Sequence, residues 1–413
     1  MRSLSSEEIE KLPANCGSLG SFVEKKYYNN INRDTKIVRT PLFPDQTCAR
    51  APAVLKRTNG IDPLQLALKK EEVAGFSTEH EFGRTAWGFM QQRMDQVSPK
   101  IPTVMDDKEL LTRPVNSENL TNVKTATSSG FGFVSHADQL PGKNKYVVPT
   151  DEFIDDLPHM VYEMSPELAG ALIDAIREME LGIVPVIPAR MSLKDELRDL
   201  IRVAACKTRI FKASNLLMFV IMRKFHGAWF ETYTQFYELF HHAIGVDING
   251  PFGQWLFDEL KVPGRIVVYD ISNNDNTIQR FDNYSYTQSV SRWLLRNQHM
   301  LPEKWRRPTY PKVLETLAAM LLDPVIQYDS FLFTKLISLL SGIPDTSIRN
   351  STINKVRFDA VTLYLIKKND PAFYKLVLQN GVDWYDALIF SNHLGDDAIA
   401  RCPIDMPYLD FEG

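Results

Sequence analysis

Between Ser214 and Gly245 the chain reads "SNLLMFVIMRKFHGAWFETYTQFYELFHHAIG", with apolar and aromatic positions recurring at helical spacing. That period predicts buried helices, and it makes the His241-His242 pair core packing rather than chemistry. Residues 151–187 also read as helix. There "SPELAGALIDAIREMELG" opens on Ser165 as N-cap, carries Pro at the first helical position and closes near Gly182. Helical patterning recurs at "DPLQLALKK", at "RTAWGFMQQRMDQV" and, over a longer stretch, at "TSIRNSTINKVRFDAVTLYLIKK". The continuous β-branched run in "RIVVYDIS" predicts a buried strand. "DSFLFTKLISLL" predicts a strand followed by a turn, and the apolar runs around "LGDDA" predict a hairpin in which Gly395 supplies the positive φ. Up to about residue 65, Pro41, Pro44, Pro52 and Pro63 break any long periodicity. No internal repeat or low-complexity tract appears. This order of elements lacks regular βαβ alternation and predicts an α+β protein.

Composition narrows the picture only a little. A chain of 413 residues, 44% hydrophobic and 24% charged, has the balance of a soluble globular protein and the length for two to three compact units. The net charge of −4 excludes an overall basic, nucleic-acid-coating character. Locally the balance reverses. Arg190 to Lys224 holds nine Lys/Arg against three Asp/Glu. Such a stripe suits an anion-binding channel, though a solvated face is the commoner cause. Cys16, Cys48, Cys206 and Cys402 are widely separated, which predicts reduced thiols rather than a disulfide framework or a zinc site. The N-terminus has no apolar signal region, and the longest apolar run, Leu216 to Met222, is too short to span a bilayer. The cell interior is the expected compartment.

Four short constellations carry candidate chemistry. In "YDISNNDNTI", Asp270 stands at a strand end, where a carboxylate is well placed to hold Mg²⁺, and Asp275 follows five positions later. Asp396 and Asp397 stand side by side in the hairpin. Phosphoryl transfer on two metals needs carboxylates from separate elements, so Asp270 and Asp396 would supply such a pair if they meet within about 4–7 Å. In "SGIPDTSIRN", Ser341-Gly342 precedes a helix on which Thr346 and Asn350, four apart, share one face. In "LKDELRDLIRVAACKTRIF", Lys194, Arg198 and Arg202 recur every four residues, and Lys207 and Arg209, two apart, would share one face of a strand. Converging cations of this kind would neutralise a triphosphate. Taken singly, each is better read as a turn, a helix cap or a solvated surface.

Their order and spacing together resemble the RNA-dependent RNA polymerases of picorna-like positive-strand RNA viruses (picornaviruses, dicistroviruses and iflaviruses). "DISNNDNTI" is similar to the first palm motif, "SGIPDTSIRNSTIN" to the second and "LGDDA" to the third, while "KDELR" and "KTRIF" resemble the basic fingers motif. "TSSGFGF", followed by "GKNKYV", resembles the template-guiding loop, with Gly132 where the family has proline. "APAVL" and "DPLQLALKK" are also similar to this group, so the resemblance runs from about residue 35 to the end.

The resemblance implies a right-hand polymerase of fingers and an antiparallel-sheet palm. Residues 1–65 would be an extended N-terminal fingers segment and 66–260 the fingers, with the basic motif at 190–212. The palm would occupy 261–413, with a helical insertion near 285–325. Asp270 and Asp396 would hold Mg²⁺, with Mn²⁺ as an alternative ion, and Asp397 would support them. Asp275, Ser341, Thr346 and Asn350 would read the ribose 2′-hydroxyl. Lys194, Arg198, Lys207 and Arg209 would bind the NTP triphosphate, and Thr127, Ser128, Ser129 and Gly130 would guide the template. The implied partners are an RNA template and primer, NTPs, a genome-linked protein as primer, and other viral replication proteins. The implied place is the host cytoplasm, in membrane-associated replication complexes. Only 16 residues follow Asp397, and no lysine follows Lys375, where the family has a further lysine-bearing palm segment and a thumb. A chain truncated before the thumb is therefore expected. The alternatives are a non-catalytic RNA- or NTP-binding fragment, a reverse transcriptase, against which a ribose-reading Asp275, Thr346 and Asn350 argue, and a metal-dependent nuclease.

Overall fold

The structure is a computed structural model that describes residues 16–21, 34–37, 49–68, 77–114, 116–127, 130, 142–153, 160–271, 274–328, 331–335 and 340–409. In chain order its elements begin with strands β1 (Cys16–Ser21) and β2 (Arg50–Pro52), then helices α1 (Pro63–Leu68) and α2 (Glu81–Asp95). β3 (Val147–Phe153), β4 (Met160–Met164), α3 (Pro166–Leu181), β5 (Ala189–Leu193), β6 (Leu197–Asp199), α4 (Leu200–Ala204) and β7 (Ile210–Ala213) follow. The middle holds α5 (Leu216–Gln235), α6 (Tyr237–Phe240), α7 (Pro251–Lys261), β8 (Arg265–Asp270), α8 (Asn274–Thr277), α9 (Arg280–Arg296), α10 (Tyr310–Leu322), β9 (Val325–Tyr328) and β10 (Phe331–Lys335). The chain then runs through α11 (Thr346–Asn369), α12 (Pro371–Asn380), α13 (Val382–Leu388), β11 (Phe390–Leu394) and β12 (Asp397–Cys402).

Two larger sheets organise the described residues, beside the two-stranded pairs β2-β6 and β3-β4. One is five-stranded, in the order β1-β10-β9-β5-β7, and includes a parallel β5/β9 pair. The other is three-stranded and antiparallel, in the order β11-β12-β8. Helix α5 is the hub of the core. Trp229 packs edge-on against Tyr233, Phe240 and Trp293, with ring centroids 5.3–5.4 Å apart. Its indole N–H donates to the Tyr286 hydroxyl at 3.2 Å, so a fully buried ring keeps its polar end satisfied. His242 stacks on Tyr233 at 4.3 Å, and both histidines of the pair are buried, although they lie just past the end of α6, with His241 at φ +55.

Local signals set several of these elements. The α3 cap forms as expected: Ser165 Oγ accepts from the Leu168 N–H at 3.3 Å, Pro166 opens the helix, and Gly182 ends it at φ +80. The helical reading of 151–187 is corrected ahead of that cap, because the chain is extended through Phe153 and again from Met160 to Met164, where β4 pairs with β3. β8 also departs from expectation. It lies at a sheet edge, and Ile266 and Val268 are 44% and 73% exposed, so its β-branched run reflects strand propensity rather than burial on both faces. The four-residue period of Lys194, Arg198 and Arg202 is not helical. Lys194 follows β5, Arg198 sits in β6 and Arg202 in α4. Lys207 and Arg209 precede β7 in irregular chain rather than sharing a strand face.

Helix α11 is polar in sequence yet buried over most of its length. A buried polar group is costly without partners, so the helix survives by pairing on several sides. Lys355 donates to Asp359 at 2.6 Å, and Arg93 from α2 reaches Asp359 at 3.2 Å and Asp386 at 2.6 and 2.8 Å. Arg349 pairs with Asp345 at 2.8 Å, and Arg357 with Asp282 at 2.9 Å.

Candidate active site

The hairpin loop has only two residues, since Leu394 pairs with Asp397 across β11 and β12. Gly395 has φ +66, whereas Asp396 is not among the positive-φ residues. A glycine in the first central position with only that residue at positive φ is the type II′ pattern, whose twist suits adjoining antiparallel strands. β12 then pairs with β8 so that Asp397 lies directly opposite Asp270. The Ile271 N–H donates to the Asp396 carbonyl at 3.3 Å, which fixes the end of β8 against the turn.

The exposed carboxylate of Asp270 is thereby brought to the turn that carries the exposed Asp396 and Asp397, 126 and 127 positions later in sequence. The Asp270 pKa is raised, first by desolvation and then by the charges of Asp396 and Asp397. Like charges held this close disfavour each other's ionised form, and a cation between them relieves that repulsion. Among the described residues no group of three or more His, Cys, Asp or Glu side chains is placed to hold a metal ion. An open pair of hard oxygen ligands nonetheless fits Mg²⁺, which usually takes one or two carboxylates and completes its shell with water and substrate phosphate.

Helix α11 packs beside this turn. Asn354 Nδ2 donates to the Gly395 carbonyl at 2.6 Å, and the Gly395 N–H donates to Ser351 Oγ at 2.8 Å. Asn350 Oδ1 accepts from Asn274 Nδ2, and also from Asn354 at 3.4 Å. The Asn350 amide nitrogen faces the turn, 3.5 Å from where a Cβ on Gly395 would lie. Asp275 belongs to α8, on the turn after Asp270, and its side chain lies outside the described residues. Thr346 Oγ donates toward the Leu340 and Ile343 carbonyls at 2.9 and 3.0 Å, so its hydroxyl closes the turn before α11. Ser341 is strapped to the end of β7 by two backbone hydrogen bonds of 2.9 Å, to Lys212 and Ser214.

The basic cluster converges on a carboxylate that sequence reasoning passed over. Glu196 accepts from Arg209 Nε at 2.7 Å and Arg198 Nη1 at 3.3 Å, and Lys194 Nζ lies 3.5 Å away. Burial raises the Glu196 pKa, but Arg209, Lys194 and Arg198 outweigh it and hold the group below its ordinary value. Lys207 is exposed nearby in sequence. Arg223 and Lys224 do not belong to this surface. Both are buried, Arg223 on the Thr112 and Thr121 carbonyls and Lys224 on the Met105 carbonyl and Asp107, so the stripe counted from Arg190 to Lys224 is partly structural.

Of the template-loop residues, Thr127 Oγ donates to the Lys124 carbonyl at 3.0 Å and also contacts Lys143 Nζ. Gly130 has φ +83, and a Cβ there would lie 2.6 Å from the Asn215 backbone, so the approach to the start of α5 admits only glycine. Ser128 and Ser129 lie outside the described residues. A cavity of about 570 Å³ opens between Lys124, Thr127 and Lys143 on one side and Ser214, Ser341 and Gly342 on the other.

A family model described as viral RNA-dependent RNA polymerase matches residues 50–410. The chain belongs to that family. Among its relatives, the genome polyprotein of Avian encephalomyelitis virus (strain L2Z) is 24% identical over 377 residues, covering 90% of this chain and 16% of the polyprotein. The genome polyprotein of Encephalomyocarditis virus is 29% identical over 202 residues, covering 48% of this chain and 8% of the polyprotein. The chain thus spans a small part of the polyproteins it matches, and its type within the family is picorna-like. The solved "Sicinivirus 3Dpol RNA dependent RNA polymerase" superposes with a TM-score of 0.70 at 17% identity, covering 94% of this chain and 72% of that one. The shared fold is the right-hand polymerase fold, of mixed helix and sheet.

Proposed function

We propose that this chain carries out template-directed RNA synthesis, joining NTPs to the 3′ end of a primer paired to an RNA template. The observation that carries the proposal is the register that sets Asp270 opposite Asp397, with the neighbouring Ile271 N–H on the Asp396 carbonyl at 3.3 Å. In this reading Asp270 and Asp396 hold Mg²⁺, or Mn²⁺ in its place, and Asp397 stabilises the pair. The bound ions would supply charge neutralisation for the attacking and departing oxygens of the phosphoryl group.

The chain's own residues do the rest. Arg209, Arg198 and Lys194 take the triphosphate, with Lys207 adding charge. The Arg209 side chain is 55% exposed, and an ion pair this accessible is worth about 0–1 kcal/mol, so exchanging Glu196 for phosphate costs little. Asp275 and Asn350, with Ser341 and Thr346, read the ribose 2′-hydroxyl, because polar groups left unpaired by a deoxyribose would cost about 1–3 kcal/mol. Thr127 to Gly130 guide the template. We assign residues up to about 260 to fingers and those from 261 to palm, and assign no thumb among the described elements. RNA, NTPs, a genome-linked protein primer and other viral replication proteins are the proposed partners, in the host cytoplasm within membrane-associated complexes. Among the described residues no helix is long and apolar enough to cross a membrane.

Primer extension on an RNA template tests this. Incorporation of NTPs in preference to dNTPs, abolished in Asp396→Ala with RNA affinity retained, is the expected result. RNA binding with no incorporation by the wild type would favour a non-catalytic binding module. Arg209→Ala should weaken NTP binding at least tenfold, and an unchanged NTP affinity would remove the triphosphate role from "KTRIF".

A further inference from the structure

We infer that Ser351, Asn354 and Arg357 are positioning residues, through which helix α11 sets the Asp396 turn and the chain after Asp270 at a fixed separation. The inference deepens the proposed reading and rests on it. Positions 350, 354 and 357 recur at i, i+4 and i+7 and share one face of the helix, with 351 at its flank. Ser351 and Asn354 hold Gly395 from both sides of its backbone, the hydroxyl accepting its N–H at 2.8 Å and the amide donating to its carbonyl at 2.6 Å. Both side chains are fully or nearly fully buried.

Two turns of helix lower the span from 350 to 357 reaches the other carboxylate's segment. Arg357 Nη1 donates to Thr277 Oγ at 3.1 Å, and its Nη2 donates to the Thr277 carbonyl at 2.8 Å and to Asp282 at 2.9 Å. Asn350 receives Asn274 Nδ2 at the start of the same turn. A single rigid helix therefore grips the residue immediately before Asp396 and the short helix that follows Asp270. None of the three side chains is placed at the reacting atoms. A two-residue hairpin projecting from a three-stranded sheet has few other constraints, and groups that orient ligating carboxylates usually change metal affinity about 10–100-fold when removed.

The test compares the full chain with Ser351→Ala, Asn354→Ala and Ser351→Thr, the last retaining the hydroxyl. Hydrogen exchange of the 390–397 segment reports the clamp without any metal or activity. Mn²⁺ affinity, measured by electron paramagnetic resonance in the absence of nucleotide, reports its consequence. Exchange at Gly395 should quicken about tenfold in Ser351→Ala and return close to wild type in Ser351→Thr. Mn²⁺ binding should weaken about tenfold in both alanine variants, with RNA affinity unchanged. If Ser351→Ala does not fold, Asn354→Ala carries the Mn²⁺ comparison and Ser351→Thr the exchange comparison, where wild-type protection is expected. Unchanged exchange in Ser351→Ala, or unchanged Mn²⁺ affinity in both alanine variants, overturns the inference. Asp270→Asn separates the two claims. If that variant binds Mn²⁺ as tightly as wild type, the carboxylate reading fails, and the exchange measurement still decides the clamp.

Discussion

Removing Arg93 should cost several times the stability that a typical exposed charge contributes. Its guanidinium is fully buried and makes a two-pronged contact with Asp386, at 2.6 and 2.8 Å, plus a third bond to Asp359 at 3.2 Å. Lys355 completes the group, 2.6 Å from Asp359 and 3.7 Å from Asp386, and the Tyr385 hydroxyl donates to Asp359 at 3.1 Å. Two cations thus balance two carboxylates. Burial pushes the Asp386 pKa up, but Arg93, then His241 and Lys355, outweigh that and hold it well below the usual carboxylate range. Arg93→Met keeps much of the volume and leaves one buried carboxylate without its partner, a change that costs about 3–5 kcal/mol. Arg93→Met combined with Asp386→Asn removes one charge of each sign and should recover a large part of that loss. Arg93→Lys should fall between, since an ammonium cannot reproduce the fork. Urea unfolding at neutral pH, with the midpoint shifting at constant slope, measures each cost. A depressed carboxylate contributes above its unfolded pKa of about 3.9, and the contribution is lost as pH falls through the folded value. The gap between wild type and Arg93→Met should therefore narrow below about pH 4. A loss under about 1 kcal/mol at neutral pH, or a double variant no better than the single, would refute the pairing as the source of the stability.

Two further outcomes follow from buried groups elsewhere. Burial lowers His226 and His242 to about 4, so the unfolded chain takes up protons first as pH falls below about 6.5. Stability should be full above that pH and drop by about 1.4 kcal/mol per histidine by pH 5.5, a slope that His242→Gln should reduce in unfolding measured across this range. Glu231 receives the backbone N–H groups of Glu118, Asn119 and Leu120 at 3.0–3.2 Å and the Ser117 hydroxyl at 2.5 Å. Glu231→Gln turns an amide donor toward some of these donors and should lower stability by about 3 kcal/mol, read from the urea midpoint.

The parts of this molecule legible in the sequence are those specified within one turn or one element. Ser165, Pro166 and Gly182 announce α3 because each acts on its immediate neighbours, and Gly395 announces the hairpin because a two-residue turn needs its φ. The spacing within "DISNNDNTI" and "SGIPDTSIRN" likewise exposed Asp270 and Asn350 as candidates. What stayed hidden depends on partners far along the chain. Arg93 and Asp386 are 293 residues apart, and nothing near either marks the pair. Glu196 lies inside the quoted "KDELR", but its role as the acceptor for Arg209, Arg198 and Lys194 requires β5, β6 and the chain before β7 to be brought together. Ser351 and Asn354 did leave a trace, being polar residues that follow Asn350 along one side of a long helix. Reading that trace needed the position of Gly395. The exposure of β8 was hidden for a related reason, since β-branched residues report strand propensity and say little about which sheet edge a strand occupies.

Anomalous diffraction from crystals soaked in Mn²⁺ tests the central claim most directly. A peak between the Asp270 and Asp396 carboxylates, absent in Asp270→Asn crystals treated alike, is the predicted result. Mn²⁺ bound only elsewhere on the chain, or a peak that persists unchanged in Asp270→Asn, would contradict a shared metal site and reduce the Gly395-Asp396 loop to an ordinary turn.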